Sequence, residues 1–121
     1  TLRSEIEYRL QNGYDVIMDI DWQGATLIKD KLPNDTLTIY ILPPSIDELE
    51  RRIRQRNKDT EDIIKYRMAK SRNEIHFCYR YDYLIINDKL EEATENIHAI
   101  IKCNRHRVDR VHNLTEIIKS F

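Results

Sequence analysis

The chain has 121 residues, enough for one hydrophobic core, with 34% charged and 40% apolar side chains and a formal net charge of −1. That balance supplies no bulk attraction to nucleic acid or an anionic membrane, and no apolar run is long enough for a signal peptide or a membrane span. Cys78 and Cys103 are too few for a disulfide scaffold, and the histidines show no metal-ligand spacing beyond Cys103 and His106, so free thiols in a reducing cytoplasm and no metal centre are expected.

The chain opens on Thr1 instead of methionine, which suggests a fragment of a longer protein. Ser4 to Gln11 places Ile6 and Leu10 at helical spacing, and Asn12-Gly13 supplies a helix stop. Val16-Ile17-Met18 is an apolar run closed by Asp19, with Ile20 and then Asp21 after it. This reads as a strand of a parallel sheet, buried on both faces, with its chemistry at the carboxyl end. Two acids two residues apart on an extended chain point the same way. One of them can cap the helix that follows Gln23-Gly24-Ala25. The other then needs a cation, a base or a metal-bound water, because an unpaired buried carboxylate is costly.

Ala25 to Leu32 carries a second helical pattern, which Pro33-Asn34-Asp35 ends. Thr36 to Leu42 is β-branched and aromatic and reads as a strand that Pro43-Pro44 stops. Ser45 with Glu48 three residues on is a capping-box pattern for a helix to about Arg56, and Thr60 with Glu61 and Asp62 starts another towards His76. Tyr83 to Ile86 is a further strand, followed by Asn87-Asp88. Ala93, Ile97, Ile100 and Ile101 then mark a long helix from near Leu90, with a short terminal helix within Asn113 to Phe121. Alternating helices and apolar strands specify an α/β layered domain with a mainly parallel sheet flanked by helices.

Arg51, Arg52, Arg54 and Arg56 fall within six residues, and Arg67 follows one loop later. Arg52 and Arg56 share a helical face, where like charges oppose each other by about 0.2–0.5 kcal/mol until an anion arrives. Arginine forks match phosphate oxygens bidentately, so Arg52, Arg56 and Arg67 converging from two helices could neutralise a transferring phosphoryl group. The alternative is a solvated helix face with pairs such as Glu48 to Arg52. Flanking acids from Glu48 to Asp62 weigh against a nucleic-acid surface.

These segments together resemble guanylate kinase, bacterial in type. The resemblance rests on Asp19-Ile20-Asp21-Trp22-Gln23-Gly24-Ala25, on Ile41-Leu42-Pro43-Pro44-Ser45, on Leu49 to Arg56 leading to Arg67, and on Ile86-Asn87-Asp88. It implies a nucleoside-monophosphate-kinase-like domain of the P-loop class over residues 1–121, with a lid at about 46–72, and phosphoryl transfer from ATP to GMP. In that family pattern Asp21 accepts from the guanine edge. Asp19 faces the magnesium and phosphate region beside GMP, and Thr1 falls where a Ser or Thr contacts guanine. Arg52, Arg56 and Arg67 match the lid arginines over the ATP and transferring phosphates, and Asn87 the residue beside adenine. Mg²⁺ is expected with ATP, with no protein ligand assigned.

Two departures accompany the resemblance. The sequence has no Gly-x-x-x-x-Gly-Lys-Ser/Thr loop and no paired Arg and Tyr set for the GMP phosphate. The chain therefore reads as the C-terminal portion of such an enzyme, lacking the phosphate-loop strand and inactive alone. The competing reading is a guanylate-kinase-like module that binds protein partners without catalysis. Retention of both acids and the three lid arginines favours the enzyme.

Overall fold

The structure, a computed structural model, describes residues 2–56 and 58–121. The chain divides into two compact units, Thr1–Thr36 and Leu37–Phe121.

In the first unit, α1 (Leu2–Gln11) buries Ile6 and carries the i,i+4 pairs Arg3–Glu7 and Arg9–Glu5 on its exposed side. It stops at Gly13, whose φ of +81° is the left-handed conformation that a side chain would strain. The Tyr14 N–H then donates to the Arg9 carbonyl and the Gly13 N–H to that of Leu10, which satisfies the last carbonyls of the helix as Asn12-Gly13 predicts.

Residues 14–20 differ from the expectation. They form no strand, and Ile17 is 82% exposed. A strand exists only through its ladder, and among the described residues no other segment pairs with this one. The next helix, α2 (Trp22–Lys31), begins three residues earlier than its apolar pattern suggests, because Asp21 caps it. Lys29 Nζ and the Thr36 hydroxyl fasten the turn after it, donating to the carbonyls of Thr36 and Leu32 respectively.

The second unit holds a two-stranded parallel sheet, β1 (Ile39–Leu42) with β2 (Tyr83–Ile86), in the register Ile39 to Tyr83 and Leu42 to Ile86. Between the strands run α3 (Ile46–Arg56) and α4 (Glu61–Glu74), packed on each other, and a 3₁₀ turn over Ile75–Arg80 that extends α4. After β2 come α5 (Leu90–Asn104), packed on β2, then a short 3₁₀ turn at Val108–Arg110 and α6 (Leu114–Lys119). Ile64 and Met68 of α4, Ile85 of β2 and Ala93 of α5 are buried, so the core lies where helices meet the sheet. The strands are less covered than their apolar sequence suggests: Ile41 and Ile86 are each about half exposed. Among the described residues each strand has only one neighbour, so each keeps an open edge.

Register is fixed at both ends of the ladder. At the start, the Thr38 N–H and hydroxyl both donate to Asp82 Oδ2, at 2.9 and 3.0 Å, and the Asp82 N–H donates to Thr38 Oγ1 at 3.0 Å. At the carboxyl end the Asn87 N–H donates to the Leu42 carbonyl at 2.6 Å. Because Thr38 is buried, Thr38→Val removes its hydroxyl bonds where water cannot replace them. Urea denaturation should show a loss of about 1–2 kcal/mol, which Thr38→Ser largely avoids. Equal stability of the valine variant would mean that this clamp does not hold the pairing.

Candidate functional site

Parallel strands collect ligands at their carboxyl ends, and β1 and β2 both point there into a pocket of about 250 Å³. Ile41, Pro43, Leu49 and Ile53 form its apolar wall, and Arg52, Arg56, Arg67 and Asn87 its polar one. The structure therefore brings together the three arginines and the asparagine that the sequence singles out. The prolines end β1 and let Ser45 start α3 by accepting the Glu48 N–H at 3.1 Å. The capping box is half formed. Glu48 does not reach back to Ser45, because its carboxylate serves Arg51 and Arg52.

The arginines of α3 divide by face. Arg51 points outward to Glu48 and Gln55, and Arg54 to Glu50 and Glu61, so the solvated-face reading is correct for these two. On the pocket face each arginine is held differently. Arg52 is anchored by Nε to Glu48 Oε1 at 2.9 Å, by Nη1 to the Asn87 carbonyl at 2.8 Å and by Nη2 to the Asp88 carbonyl at 3.3 Å. Arg67 lies 3.5 Å from Asp59 Oδ2 as an ion pair, and that oxygen is buried without a hydrogen bond. Arg56 is exposed and makes no ion pair among the described residues. The site thus offers one anchored, one ion-paired and one exposed guanidinium to an anion. An arginine fork binds a phosphate through two parallel charge-assisted bonds, and a small, partly apolar cavity strengthens them by limiting water.

Asp21 is a helix cap. Its Oδ1 accepts the Gly24 N–H at 2.8 Å, while its other oxygen accepts no hydrogen bond among the described residues. A side chain at position 24 would stand 3.4 Å from both that capping oxygen and Ile20 Cβ, so glycine keeps the cap close. Asp19 is exposed. With no strand through residues 14–20, the shared direction of the two acids no longer follows from an extended chain. Thr1 lies outside the described residues. The Glu48 to Arg52 pair is the one the spacing indicates, but the sharing of Glu48 with Arg51 and the pairing of Asp59 with the pocket's Arg67 do not follow from the sequence. Asp59, the acid just before Thr60, has no such local spacing to Arg67.

No group of three or more His, Cys, Asp and Glu side chains able to hold a metal ion occurs among the described residues, and no helix there is long and apolar enough to cross a membrane.

Comparisons with known proteins point to one family. A family model described as guanylate kinase matches residues 1–104. The guanylate kinase of Agrobacterium fabrum is 43% identical over 120 residues, 99% of this chain and 54% of its own length. That of Rhizobium meliloti is 41% identical over 118 residues, again 98% of this chain and 54% of the relative. Among solved structures, guanylate kinase from Anaplasma phagocytophilum matches with a TM-score of 0.81 and 30% identity, covering 98% of this chain and 56% of that one. The chain spans about half the length of the curated relatives it matches.

The electrostatics of α3 give a pH test. Hydrogen bonds from Arg51, and then from Arg52, hold the Glu48 carboxyl at about 2, well below its ordinary 4.5. A carboxylate depressed on folding adds stability that is complete above about pH 4.5 and is lost as pH falls from there through 2. Carboxyl carbon shifts followed by NMR should show Glu48 still ionised at about pH 3, whereas a midpoint near 4.5 would mean that both arginine contacts are absent in solution.

Proposed function

The chain belongs to the guanylate kinase family, and from that premise we propose that the complete protein transfers the terminal phosphoryl group of ATP to GMP, giving ADP and GDP. The observation that carries the proposal is the convergence of Arg52, Arg56 and Arg67 with Asn87 on one pocket at the carboxyl end of the sheet. Phosphoryl transfer spreads charge over the equatorial oxygens of the moving group, so its catalysis is positioning plus placement of cations. Arg52, pre-anchored on two carbonyls, meets the phosphates without losing much side-chain entropy. Arg67 exchanges Asp59 for phosphate, and Arg56 swings in from solvent. Asn87 stands beside adenine, its main chain already held by Leu42 and Arg52.

For the acceptor, the guanine edge offers N1–H and the 2-amino group as adjacent donors, and a carboxylate is acceptor only. Asp21 supplies the oxygen not used in capping, Thr1 adds a hydroxyl to the same base, and Asp19 faces the magnesium and phosphate region beside GMP. A lid at about residues 46–72 carries the arginines. Mg²⁺ accompanies ATP in this family, and among the described residues no group of three or more His, Cys, Asp and Glu side chains stands ready to hold it. Free Cys78 and Cys103 suit a cytoplasmic enzyme. Residues outside this chain complete the machinery, and the chain alone does not catalyse.

The test is a crossed pair of variants in the complete protein, assayed with GMP varied at saturating ATP and the reverse. Arg56→Lys keeps charge but loses the planar fork, so kcat should fall on the order of tenfold or more with little change in the GMP KM. Asp21→Asn retains a good helix cap, since asparagine caps as well as aspartate. It should nevertheless cost about 1.5–3 kcal/mol of GMP recognition through the lost charge-assisted bonds. ATP affinity should hold. A complete protein that does not phosphorylate GMP, or an Asp21→Asn variant with an intact GMP specificity constant, would contradict the proposal.

A further inference from the structure

Each α3 arginine that faces outward is paired with an acid that also faces outward, with one exception. Glu48 shares a single oxygen, Oε1, between Arg51 Nη2 at 2.7 Å and Arg52 Nε at 2.9 Å, and its Oε2 takes Arg51 Nε at 2.9 Å. Its backbone is fixed as well, the N–H being bound to Ser45 Oγ. Glu48 is therefore a rigid acceptor on the first turn of α3, one helical turn before the arginine that binds the Asn87 and Asp88 carbonyls.

We propose that Glu48 is a positioning residue that orients the Arg52 guanidinium, so that this one side chain ties the lid helix α3 to the end of β2 at Asn87. The inference rests on the phosphoryl-transfer reading for its functional consequence, but its structural half stands on the three contacts alone. Nε is the part of a guanidinium nearest the stem. Fixing it sets the plane of the fork and so decides where both Nη atoms aim. With Nε on Glu48, Nη1 and Nη2 reach two consecutive carbonyls beyond β2. Without it, the long side chain regains rotamers, and the carbonyls of Asn87 and Asp88 lose a charged donor. Arg51 works in the same direction, because its fork occupies the outer side of the carboxylate and leaves Oε1 facing Arg52.

Glutamine at position 48 is the informative substitution. An amide has one acceptor oxygen where the carboxylate has two, so its NH₂ must oppose one of the two guanidinium groups. Aspartate keeps the charge but is one methylene short of Arg52. Glu48→Gln therefore either turns its NH₂ on Arg52 or keeps only a neutral acceptor there, and Glu48→Asp falls short of it, whereas a role through bulk charge survives in the aspartate.

The experiment uses the complete protein and reads two things. First, NMR follows the side-chain Nε–H of Arg52, assigned by its loss in Arg52→Lys. It should exchange slowly with solvent in the wild type and fast in Glu48→Gln, a result independent of any activity. Second, steady-state kinetics with ATP and GMP should show kcat lowered about tenfold in Glu48→Gln and Glu48→Asp, the GMP KM within about twofold, and no such change in Glu50→Gln. On an Arg52→Lys background, Glu48→Gln should add less than about a further twofold, since both changes remove the same interaction. An Arg52 Nε–H that stays protected in Glu48→Gln overturns the positioning role. So does a full tenfold loss on the Arg52→Lys background, or a loss of kcat that only tracks a lowered Tm. Absence of GMP phosphorylation by the wild type overturns the functional reading instead and leaves the exchange result to decide the contact.

Discussion

The parallel pairing of β1 with β2 is the constraint on which the Leu37–Phe121 unit depends. Forty residues of helix and turn lie between Leu42 and Tyr83, and the sheet is what returns the chain so that Asn87 comes to lie beside the start of that excursion. The register has little to do with the apolar side chains, half of which remain accessible. It is specified by polar groups: Thr38 with Asp82 at one end, the Asn87 N–H on the Leu42 carbonyl at the other. A slip of one residue would break all of them together and turn the side chains of the slipped strand to the opposite faces.

The functional pocket follows from this pairing. Pro43-Pro44 stops β1 where its partner also ends, Ser45 starts α3 at once, and α3 then runs past the end of β2 closely enough for Arg52 to bind the two carbonyls just beyond it. Carbonyls at the end of a parallel strand lack ladder partners. A charged donor from α3 satisfies them while leaving N–H groups for a ligand. The guanidinium that lines the pocket is thus also a structural tie. Arg56 and Arg67 supply charge without that anchoring, which suits groups that must move when an anion enters.

Much of this was legible in the sequence, for local reasons. Asn12-Gly13 ends α1 through a backbone conformation that glycine alone adopts easily, and β2 falls on Tyr83 to Ile86 as its apolar run indicates. Helical spacing put Arg52 and Arg56 on one face, and the pocket contains both. The errors came from interactions that are not local. Val16 to Asp19 has the composition of a buried strand but no pairing partner among the described residues, and Val16 and Ile17 stay exposed. Asp21 is a residue whose cap is local and visible, its Oδ1 accepting the Gly24 N–H. The pairing of Asp59 with Arg67 and the sharing of Glu48 between two arginines depend on side-chain directions that spacing alone does not fix.

The central claim is that Arg52, Arg56 and Arg67 form one anion site, distinct from the outward-facing Arg51 and Arg54. It is tested most directly by recording the arginine Nε–H signals of the complete protein by NMR during titration with Mg·ATP. The account predicts that the signals of Arg52, Arg56 and Arg67 shift together and saturate at one nucleotide concentration, with Arg51 and Arg54 unmoved. Uniform small shifts across all five, or an unmoved Arg56 at saturation, would contradict it.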